Sequence, residues 1–454
     1  MVAISELRQR VNWQEGLISP AVLFDDDIYR QEQERVFGRC WLVVGHADML
    51  RKPGDYVTNY MGEVPVIVVR DVQGKLHVLV NRCAHRGNQV CVFDRGNARS
   101  FTCSYHGWTY GLDGSLIAAP MEQELYRGEL DKGAWGLEEV RSANFKGLIF
   151  ANFDSTAPSL ENWLGADGCW WLQTYVLVDH IGGLEALPGW HRYHTPGNWK
   201  HLAENFIGDD YHVTSATHVA WFKVVADFAR AGRLPGRVSP YNAAARQSEQ
   251  DRLRYELTTG YGQGCPIGMG SVELGEQTYR NDLAEASELG PEAVEWVEYR
   301  HARFQDVLED REIKPYGFQN GCIFPNVAFN SFVSPLRGRN CILFHPRGPF
   351  EFEQWQWTMI EKDAPQSVKE LATSRAYQGQ HMGGTIAPDD VENLERIAEA
   401  MRAHRNWDRA HHYGMQLGHE QDGPTGLPGN LGPNPSEVNQ RNFYRFWHQL
   451  MERN

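Results

Sequence analysis

The sequence predicts an α+β protein in which an all-β domain is inserted near the N-terminus of a larger, mixed α/β domain. The 454 residues are enough for two or three domains, each with its own core. Apolar and polar residues alternate through much of the region from Trp41 to Phe153, whereas helical and strand-like patterns mix after it. We therefore place the all-β domain at residues 38–157 and the larger domain at residues 1–37 and 158–454.

The elements of the all-β domain follow a short amphipathic helix at Asp25–Phe37, which starts with acidic residues. Two sequences typical of tight turns, Asp71–Gly74 and Asp113–Gly114, separate stretches in which the apolar residues alternate. These stretches predict strands at Asp55–Tyr60, Val64–Arg70, Leu76–Asn81, Phe101–Cys103, Trp108–Tyr110, Leu116–Ala118 and Lys146–Phe153.

The larger domain mixes both kinds of element. Phe350–Ile360 alternates as a half-buried strand does, and Asp389–His404 has apolar residues at helical spacing. The segment Gly423–Pro435 is rich in glycine and proline and predicts an irregular surface arm. A final helix follows, with an apolar stripe formed by Phe443, Phe446, Trp447 and Leu450.

Composition excludes several classes of protein. A net charge of −14 argues against nucleic acid and anionic membranes as partners, because both need clustered cations. The N-terminus has no apolar stretch of signal-peptide type, and no apolar run is long enough to cross a membrane, so we expect a cytoplasmic protein. Eight cysteines are too few for a disulfide scaffold in a chain of this length.

Two short segments contain a strong metal-ligand pattern, Cys-Ala-His and Cys-Ser-Tyr-His, and each is followed by a glycine. One thiolate and one imidazole from each segment suit a [2Fe–2S] centre that has cysteine on one iron and histidine on the other. A structural zinc site with the same ligands remains the alternative. The four candidate ligands are Cys83, His85, Cys103 and His106.

A second pattern lies in the segment AENFIGDDYHVTSATH at residues 203–218. His212 and His218 would supply two of the three protein ligands of a two-histidine, one-carboxylate iron site. On a regular helix their spacing turns the two rings about 120° apart, so a helix end or a bend must bring them to one metal. Asp209 shares the helical face of His212, which makes it the better candidate to hold the non-ligating nitrogen of that ring, whereas Asp210 points away.

With both motifs the chain resembles the large, catalytic subunit of a Rieske-type aromatic-ring-hydroxylating dioxygenase, over nearly its whole length. The resemblance implies a Rieske [2Fe–2S] domain inserted in a helix-grip-like catalytic domain. Respiratory Rieske proteins have an extra disulfide beside the cluster, and here Asn88 and Tyr105 stand at the corresponding positions. A lower reduction potential, suited to a ferredoxin donor, is therefore expected.

The resemblance also implies the remaining site residues. The family's carboxylate ligand matches Asp390, whereas Asp389 with Glu392 fits a capping box at the start of a helix and is the second candidate for the ligand. Asn205 and Asp209 fall at catalytic positions. The residues predicted to line the substrate pocket are Asn205, Phe206 and Ile386.

In the family, both atoms of O₂ add to an arene double bond to give a cis-dihydrodiol. The chain has no dinucleotide-binding motif and no plant-type ferredoxin cysteines, so NADH is expected to act indirectly, through a flavin reductase and a ferredoxin. The resemblance further implies a small β subunit in an α3β3 hexamer. In its head-to-tail ring of subunits, Asp209 would bridge His106 of one chain to His212 of the next.

A bicyclic or polycyclic aromatic hydrocarbon is the predicted substrate, because no arginine is placed to bind a carboxylate. Gln380 and His381 stand where hydrocarbon enzymes often have an aromatic residue, which leaves a polar or carboxylated aromatic as an alternative. The sequence also leaves open a Rieske monooxygenase, a Rieske electron-transfer protein and a zinc-stabilised binding module.

Overall fold

The computed structural model describes residues 9–187, 190–219, 223–224, 227, 253–269, 272–308, 315–318, 320–331, 334–379, 381–384, 386–403, 409–420 and 429–453. The chain forms two compact units, Glu32–Leu160 and Met1–Gln31 with Glu161–Asn454. Strands dominate the first unit, whereas the second combines long helices with a large sheet. The predicted α+β class is confirmed.

The N-terminal segment starts with a small antiparallel pair and then turns into helix. The strands are β1 Val11–Asn12 and β2 Leu17–Ile18, and the helices are α1 Ala21–Phe24 and α2 Asp26–Glu32. Asp25 Oδ1 accepts hydrogen bonds from the backbone amides of Asp27 and Ile28 at 2.9 and 3.0 Å, so it caps the helix predicted here. The helix continues as a π-helical turn at Gln33–Phe37.

The smaller unit is built on a seven-stranded antiparallel sheet, in the order β3-β12-β11-β6-β5-β4-β7, and a three-stranded sheet, β10-β9-β8. The strands are β3 Leu42–His46, β4 Asp55–Met61, β5 Val64–Arg70, β6 Leu76–Val80, β7 Arg95–Asn97, β8 Phe101–Thr102, β9 Thr109–Tyr110, β10 Leu116–Ala118, β11 Glu139–Phe145 and β12 Leu148–Asn152. One short helix, α3 Glu122–Tyr126, follows β10. Every strand predicted in this region is present, with ends that differ by no more than two residues.

The larger unit contains a ten-stranded sheet. Its core path runs β13-β21-β20-β19-β18-β16-β15-β23, with β14 pairing with β21 and β17 with β16. The strands are β13 Leu184–Ala186, β14 His191–Pro196, β15 Leu253–Thr258, β16 Gly264–Met269, β17 Pro315–Phe318, β18 Asn320–Ile323, β19 Val327–Ser331, β20 Arg339–Pro346, β21 Glu351–Glu361, β22 His411–His412 and β23 Asn430–Pro433. β22 pairs with β2 in a separate small sheet.

The helices of this unit are α4 Leu160–Trp171, α5 Trp199–Gly208, α6 Asp210–Ser215, α7 Val272–Leu289, α8 Pro291–Leu308, α9 Gln366–Gly379, α10 Ala387–Ala403 and α11 Val438–Glu452. In the part of the chain that the structure describes, none of them is both long enough and apolar enough to cross a membrane. The apolar stripe predicted for α11 is buried, with Phe443 and Trp447 at 0% exposure.

The prediction of an irregular arm at Gly423–Pro435 was wrong for part of its length. Asn430–Pro433, within the predicted irregular arm, forms β23 and pairs with Tyr255–Thr258 of β15. Backbone hydrogen bonds to a neighbouring strand do not require alternating side chains, so the local sequence carries no signal of this pairing. Residues 421–428 of the same arm lie outside the described residues.

Three packing contacts position the candidate site. Helix α5 lies across β16, β18 and β19, α10 packs against β14, and α9 packs against β21. Helices α5, α9 and α10 therefore pack on strands of the same ten-stranded sheet. His212 lies on α6, directly after α5, and Asp390 lies on α10.

Candidate metal centres and active site

Two loops of nearly identical backbone geometry hold the predicted cluster ligands. In the first, the amide of Gly87 donates to Cys83 O at 2.8 Å, and in the second the amide of Gly107 donates to Cys103 O at 2.9 Å. Both glycines have left-handed backbone angles, with φ of +75° and +76°. A Cβ on Gly107 would lie 2.7 Å from the ring of Pro120, so this loop needs glycine for space as well.

These loops bring the two histidine rings together and bury both cysteines. Cys83 and Cys103 are buried, at 3% and 2% exposure. The rings of His85 and His106 stand with their centroids 4.5 Å apart at an interplanar angle of 72°. The two imidazoles are therefore adjacent, and both cysteines are buried in one core cluster.

The surroundings of the sulfurs fit thiolate ligands. Burial acts to raise the pKa of the Cys103 thiol, but hydrogen bonds from the Tyr105 backbone and the Asn88 side chain outweigh it, so the pKa is lowered. The hydroxyl of Tyr110 lies 3.1 Å from Cys83 Sγ. His85 Nδ1 is buried and has no hydrogen-bond partner among the described residues, which suits a nitrogen that binds a metal. This donor set fits a [2Fe–2S] cluster of the Rieske type.

The second candidate centre begins at a break between two helices. Asn198 Oδ1 accepts from the amide of Lys200 and caps α5, which ends at Gly208. Asp209 has non-helical angles of φ −85° and ψ 68°, and its side chain caps α6 by accepting from the amide of His212 at 3.3 Å. The helix then ends at Ser215, before His218. A bend and a helix end, as the histidine spacing requires, thus lie on either side of His212.

Three candidate ligand atoms meet at this centre. Asp390 Oδ1 lies 3.4 Å from His212 Nε2 and 3.2 Å from His218 Nε2. One ligand atom from each of the three residues lies within 4.8 Å of the others. Two imidazole nitrogens and one carboxylate oxygen on one side of a site match the facial set that binds non-haem ferrous iron and leaves other positions open.

The opposite nitrogens of both rings face carboxylates. Asp209 Oδ2 lies 3.2 Å from His212 Nδ1, and Asp389 Oδ2 lies 3.4 Å from His218 Nδ1. A proton held on each Nδ1 leaves the lone pair of each Nε2 directed at the position between the ligands. The hydrogen bond to Asp389 therefore favours the tautomer of His218 that a metal requires, and the charge of Asp209 acts in the same direction at His212.

This arrangement corrects the capping-box prediction for Asp389. Helix α10 begins at Ala387, two residues before Asp389, so Asp389 is inside the first turn and does not cap it. Its carboxylate contacts His218 instead. Two adjacent aspartates in the first turn of a helix were the available signal, since neighbouring helical positions point in different directions and can contact different groups.

The charges of the site favour a bound cation. Burial acts to raise the pKa of Asp390, but its contacts with His212 and His218 outweigh burial and lower the pKa to about 2. Burial acts to lower the pKa of His212, but Asp209 and Asp390 outweigh it and raise the pKa to about 10. Protonated His212 thus supplies the positive charge beside ionised Asp390 when no metal is present, and a divalent metal that displaced this proton would supply it instead.

The other predicted site residues lie on the same elements. Asn205 on α5 has its Nδ2 3.3 Å from His212 Nε2 and donates to Asp390 Oδ1 at 3.4 Å. Phe206 is buried on the same helix, at 8% exposure. Ile386 immediately precedes α10, and its amide donates to Gly379 O at 3.1 Å. Gln380 lies outside the described residues. The pocket roles of Phe206 and Ile386 stay predictions.

Sequence reasoning missed Tyr193 of β14. Burial first, and then the charge of Asp390, raise the pKa of its hydroxyl, which donates hydrogen bonds to Gln354 and Gln356. No motif marks this residue, because its neighbourhood depends on α10 packing against β14.

Comparisons with known families cover most of the chain. A family described as "Rieske [2Fe-2S] domain" matches residues 40–133. A second, described as "Ring hydroxylating alpha subunit (catalytic domain)", matches residues 186–453.

Individual relatives match over nearly their whole length. Biphenyl 2,3-dioxygenase subunit alpha of Rhodococcus jostii (strain RHA1) is 33% identical, over 99% of this chain and 92% of the relative. Benzene 1,2-dioxygenase subunit alpha of Pseudomonas putida is 34% identical, over 98% of this chain and 94% of the relative. Among solved structures, naphthalene 1,2-dioxygenase from Rhodococcus sp. bound to indole matches with a TM-score of 0.79 and 29% identity, covering 99% of each chain.

Proposed function

Because the chain belongs to the family of Rieske ring-hydroxylating dioxygenase alpha subunits, we propose that it adds both atoms of O₂ to an aromatic ring and forms a cis-dihydrodiol. The proposed substrate is a bicyclic or polycyclic aromatic hydrocarbon, since relatives are named for biphenyl and naphthalene. The overall reaction combines arene, O₂, NADH and H⁺ to give the cis-dihydrodiol and NAD⁺. One observation carries the proposal: two imidazole Nε2 atoms and a single carboxylate oxygen converge.

We assign the metal-binding residues by this geometry and by the motif. Cys83, His85, Cys103 and His106 would hold the [2Fe–2S] cluster, and His212, His218 and Asp390 the mononuclear ferrous iron. When bound, the cluster supplies single electrons and the iron supplies a redox-active Lewis acid with open coordination positions. The bounds proposed for the cluster domain are residues 38–157.

The protein side chains contribute positioning and hydrogen bonds. Asp389 would accept a hydrogen bond from His218 Nδ1, and the carboxylate of Asp209 lies beside His212 Nδ1, so that both rings would present their Nε2 atoms to the metal. Asn205 donates to the ligand oxygen of Asp390 and limits the rotation of that carboxylate. The fixed ligand set leaves the opposite side free for the arene and for O₂.

Asp209 is also the proposed route for electrons between subunits. Its side chain is 38% exposed while its other contacts run to His212, so a carboxylate oxygen is open to a donor from outside the chain. In a ring of three alpha subunits this donor would be His106 of the neighbouring chain.

The chain acts with partner proteins, as an alpha subunit of a multicomponent dioxygenase. We propose a small β subunit in an α3β3 hexamer, and a ferredoxin with a flavin reductase that takes electrons from NADH. The proposed location is the cytoplasm, where NADH is available to that reductase.

The experiment is a reconstitution with ferredoxin, reductase, NADH and a set of arenes under ¹⁸O₂. The proposal expects a cis-dihydrodiol that contains both labelled atoms of one O₂ molecule. Incorporation of a single labelled atom with every productive substrate would contradict dioxygenation and favour monooxygenase chemistry. Exclusive turnover of aromatic carboxylates would contradict the proposed substrate.

A further inference from the structure

The C-terminal helix α11 buries polar side chains as well as its apolar stripe. Four consecutive residues near its start, Asn439, Gln440, Arg441 and Asn442, are no more than 6% exposed. Buried polar side chains nearly always have hydrogen-bond partners in folded proteins. Here the partners lie on α5, in the segment after β22 and directly after β15. Helix α11 is therefore bonded to the helix that leads toward His212.

Two of these side chains bind the last turn of α5. Asn439 Nδ2 donates to Ile207 O at 2.8 Å, and Gln440 Nε2 donates to Glu204 O at 3.3 Å. The last carbonyls of a helix have no partner within the helix, so a side chain from elsewhere can fix where the helix ends. Helix α11 thus holds the turn that leads directly into Asp209.

The side chain of Glu204 lies at the centre of this contact. Tyr444 of α11 donates to its Oε1, and Tyr413 donates to its Oε2 at 2.9 Å. Both tyrosines are buried, and their ring centroids lie 5.4 Å apart. Arg441 of α11 donates to the carbonyl of Tyr413 at 2.8 Å and so holds that tyrosine in place. We call Glu204, Tyr413 and Tyr444 the carboxylate clamp.

The carboxylate clamp adjoins two residues of the candidate active site. Asn205 follows Glu204, and its Nδ2 lies 3.3 Å from His212 Nε2. The amide of Asp209 donates to Asn205 O at 3.3 Å, and Asp209 Oδ2 lies 3.2 Å from His212 Nδ1. A shift of the last turn of α5 would therefore move both residues relative to His212.

The carboxyl group of Glu204 can change its charge near neutral pH. Burial raises its pKa to about 7, against hydrogen bonds from Tyr444 and Tyr413 that lower it. The charge of Asp209 adds to the rise, and the charge of Lys200 opposes it. An ionised carboxylate accepts from both tyrosines, whereas a protonated carboxyl must donate from one of its oxygens. The carboxylate clamp is therefore complete only when Glu204 is ionised.

We propose that Glu204 is a positioning residue, which fixes the last turn of α5 through its two tyrosine partners and so places Asn205 and Asp209. This inference rests on the proposed function, in which Asp209 transfers electrons and Asn205 contacts the ligands of the iron. Removing the charge should misplace these two residues without unfolding α5, since Asn439 and Gln440 still hold the end of the helix.

The test uses Glu204→Gln, which keeps the size of the side chain and cannot ionise. The rate measured is single-turnover oxidation of the reduced cluster by O₂ with substrate, in the iron-loaded holoenzyme. At about pH 8 we expect a rate about tenfold or more below wild type, as is typical when a partner of a metal ligand is lost. The difference should shrink toward about pH 6, where wild type loses its own carboxylate.

Infrared spectra provide a readout that does not depend on activity. Between about pH 8 and about pH 6 wild type should gain the band of a protonated buried carboxyl, and Glu204→Gln should lack this change. Tyr444→Phe removes one donor to the carboxylate and should slow cluster oxidation in the same way. The double variant should be no slower than the slower single variant, since the two residues act as one unit.

Thermal stability separates positioning from a purely structural role. The folded-state pKa of Glu204 lies above the ordinary value of 4.5, so its contribution to stability is present at low pH and is lost as pH rises through about 7. At about pH 8, Glu204→Gln should therefore melt at the same temperature as wild type or higher, although its cluster is oxidised more slowly. A purely structural role predicts a lower melting temperature together with the slower rate.

Glu295→Gln and Tyr299→Phe are the matched controls, because both residues are exposed on α8, and they should leave the rate and its pH profile unchanged. Iron content and cluster absorbance verify that each variant is loaded. A wild-type rate in Glu204→Gln at every pH, or a loss that is equal at every pH and matched by a lower melting temperature, would overturn the inference. Incorporation of a single labelled atom from ¹⁸O₂ would contradict ring dioxygenation and leave these measurements unaffected, so the two proposals fail separately.

Discussion

Asp389 offers the sharpest test of the mononuclear site, because it is adjacent to Asp390 but is given a different role. Its carboxylate lies 3.4 Å from His218 Nδ1, on the side of the ring away from the ligand atoms. Replacing it by asparagine keeps the shape and removes the charge that holds the Nδ1 proton. We expect weaker iron binding but not its loss.

The expected magnitude follows from the role and from the exposure. Removing the hydrogen-bond partner of a metal-bound histidine typically weakens metal affinity by about 10- to 100-fold, or about 1.4 to 2.7 kcal/mol. The Asp389 side chain is 44% exposed, compared with 17% for Asp390, so water can replace part of its contact. We therefore expect Asp389→Asn to weaken the affinity for Fe(II) about tenfold, near the low end of that range.

The assay is an anaerobic titration of iron-depleted protein with Fe(II), with the cluster absorbance as a measure of intact protein. Asp390→Asn should abolish stoichiometric binding, since it removes the charged ligand. Glu392→Gln is the matched control, because that carboxylate is 62% exposed on the same helix and pairs only with Arg396 in the described contacts. Equal losses in Asp389→Asn and Asp390→Asn, or wild-type affinity in Asp389→Asn, would refute the division of roles.

Further predictions concern metal content, pH and electron transfer. Anaerobically prepared protein should contain about three irons and about two acid-labile sulfides per chain. The Asp390→Ala variant should lose one iron and keep the cluster. Stoichiometric zinc without sulfide would contradict both metal assignments. Without metal the pKa of His212 is raised to about 10, so Fe(II) must displace a proton from this ring when it binds. The apparent affinity for Fe(II) should therefore rise about tenfold per pH unit between pH 7 and 9. A titration whose affinity does not change with pH would contradict this. Asp209→Ala should still reduce its cluster and bind iron, yet single-turnover oxidation of the cluster by O₂ with substrate should nearly stop, and normal oxidation would exclude the bridge between subunits.

Much of the fold could be predicted because its signals are local. Val64–Arg70 was predicted as a strand from its alternation and has those bounds in the structure. The helix predicted at Asp389–His404 is present at Ala387–Ala403, since its apolar spacing is that of one buried face. β23 was missed because strand pairing at Asn430–Pro433 depends on a distant neighbour, β15.

The sequence alone determined the chemistry of the two centres, because residue type and spacing specify which ligand atoms are available. The motifs are the two Cys/His loops at residues 83–85 and 103–106 and the histidine pair at residues 212 and 218. Only the tertiary structure decided which aspartate meets which imidazole nitrogen, since Asp389 and Asp390 are adjacent in the chain and differ only in direction. It also decided that His191 of β14 lies opposite Gln356 of β21, because strand register makes them neighbours. Such pairings join residues that are far apart in the chain, so no local sequence pattern predicts the contact.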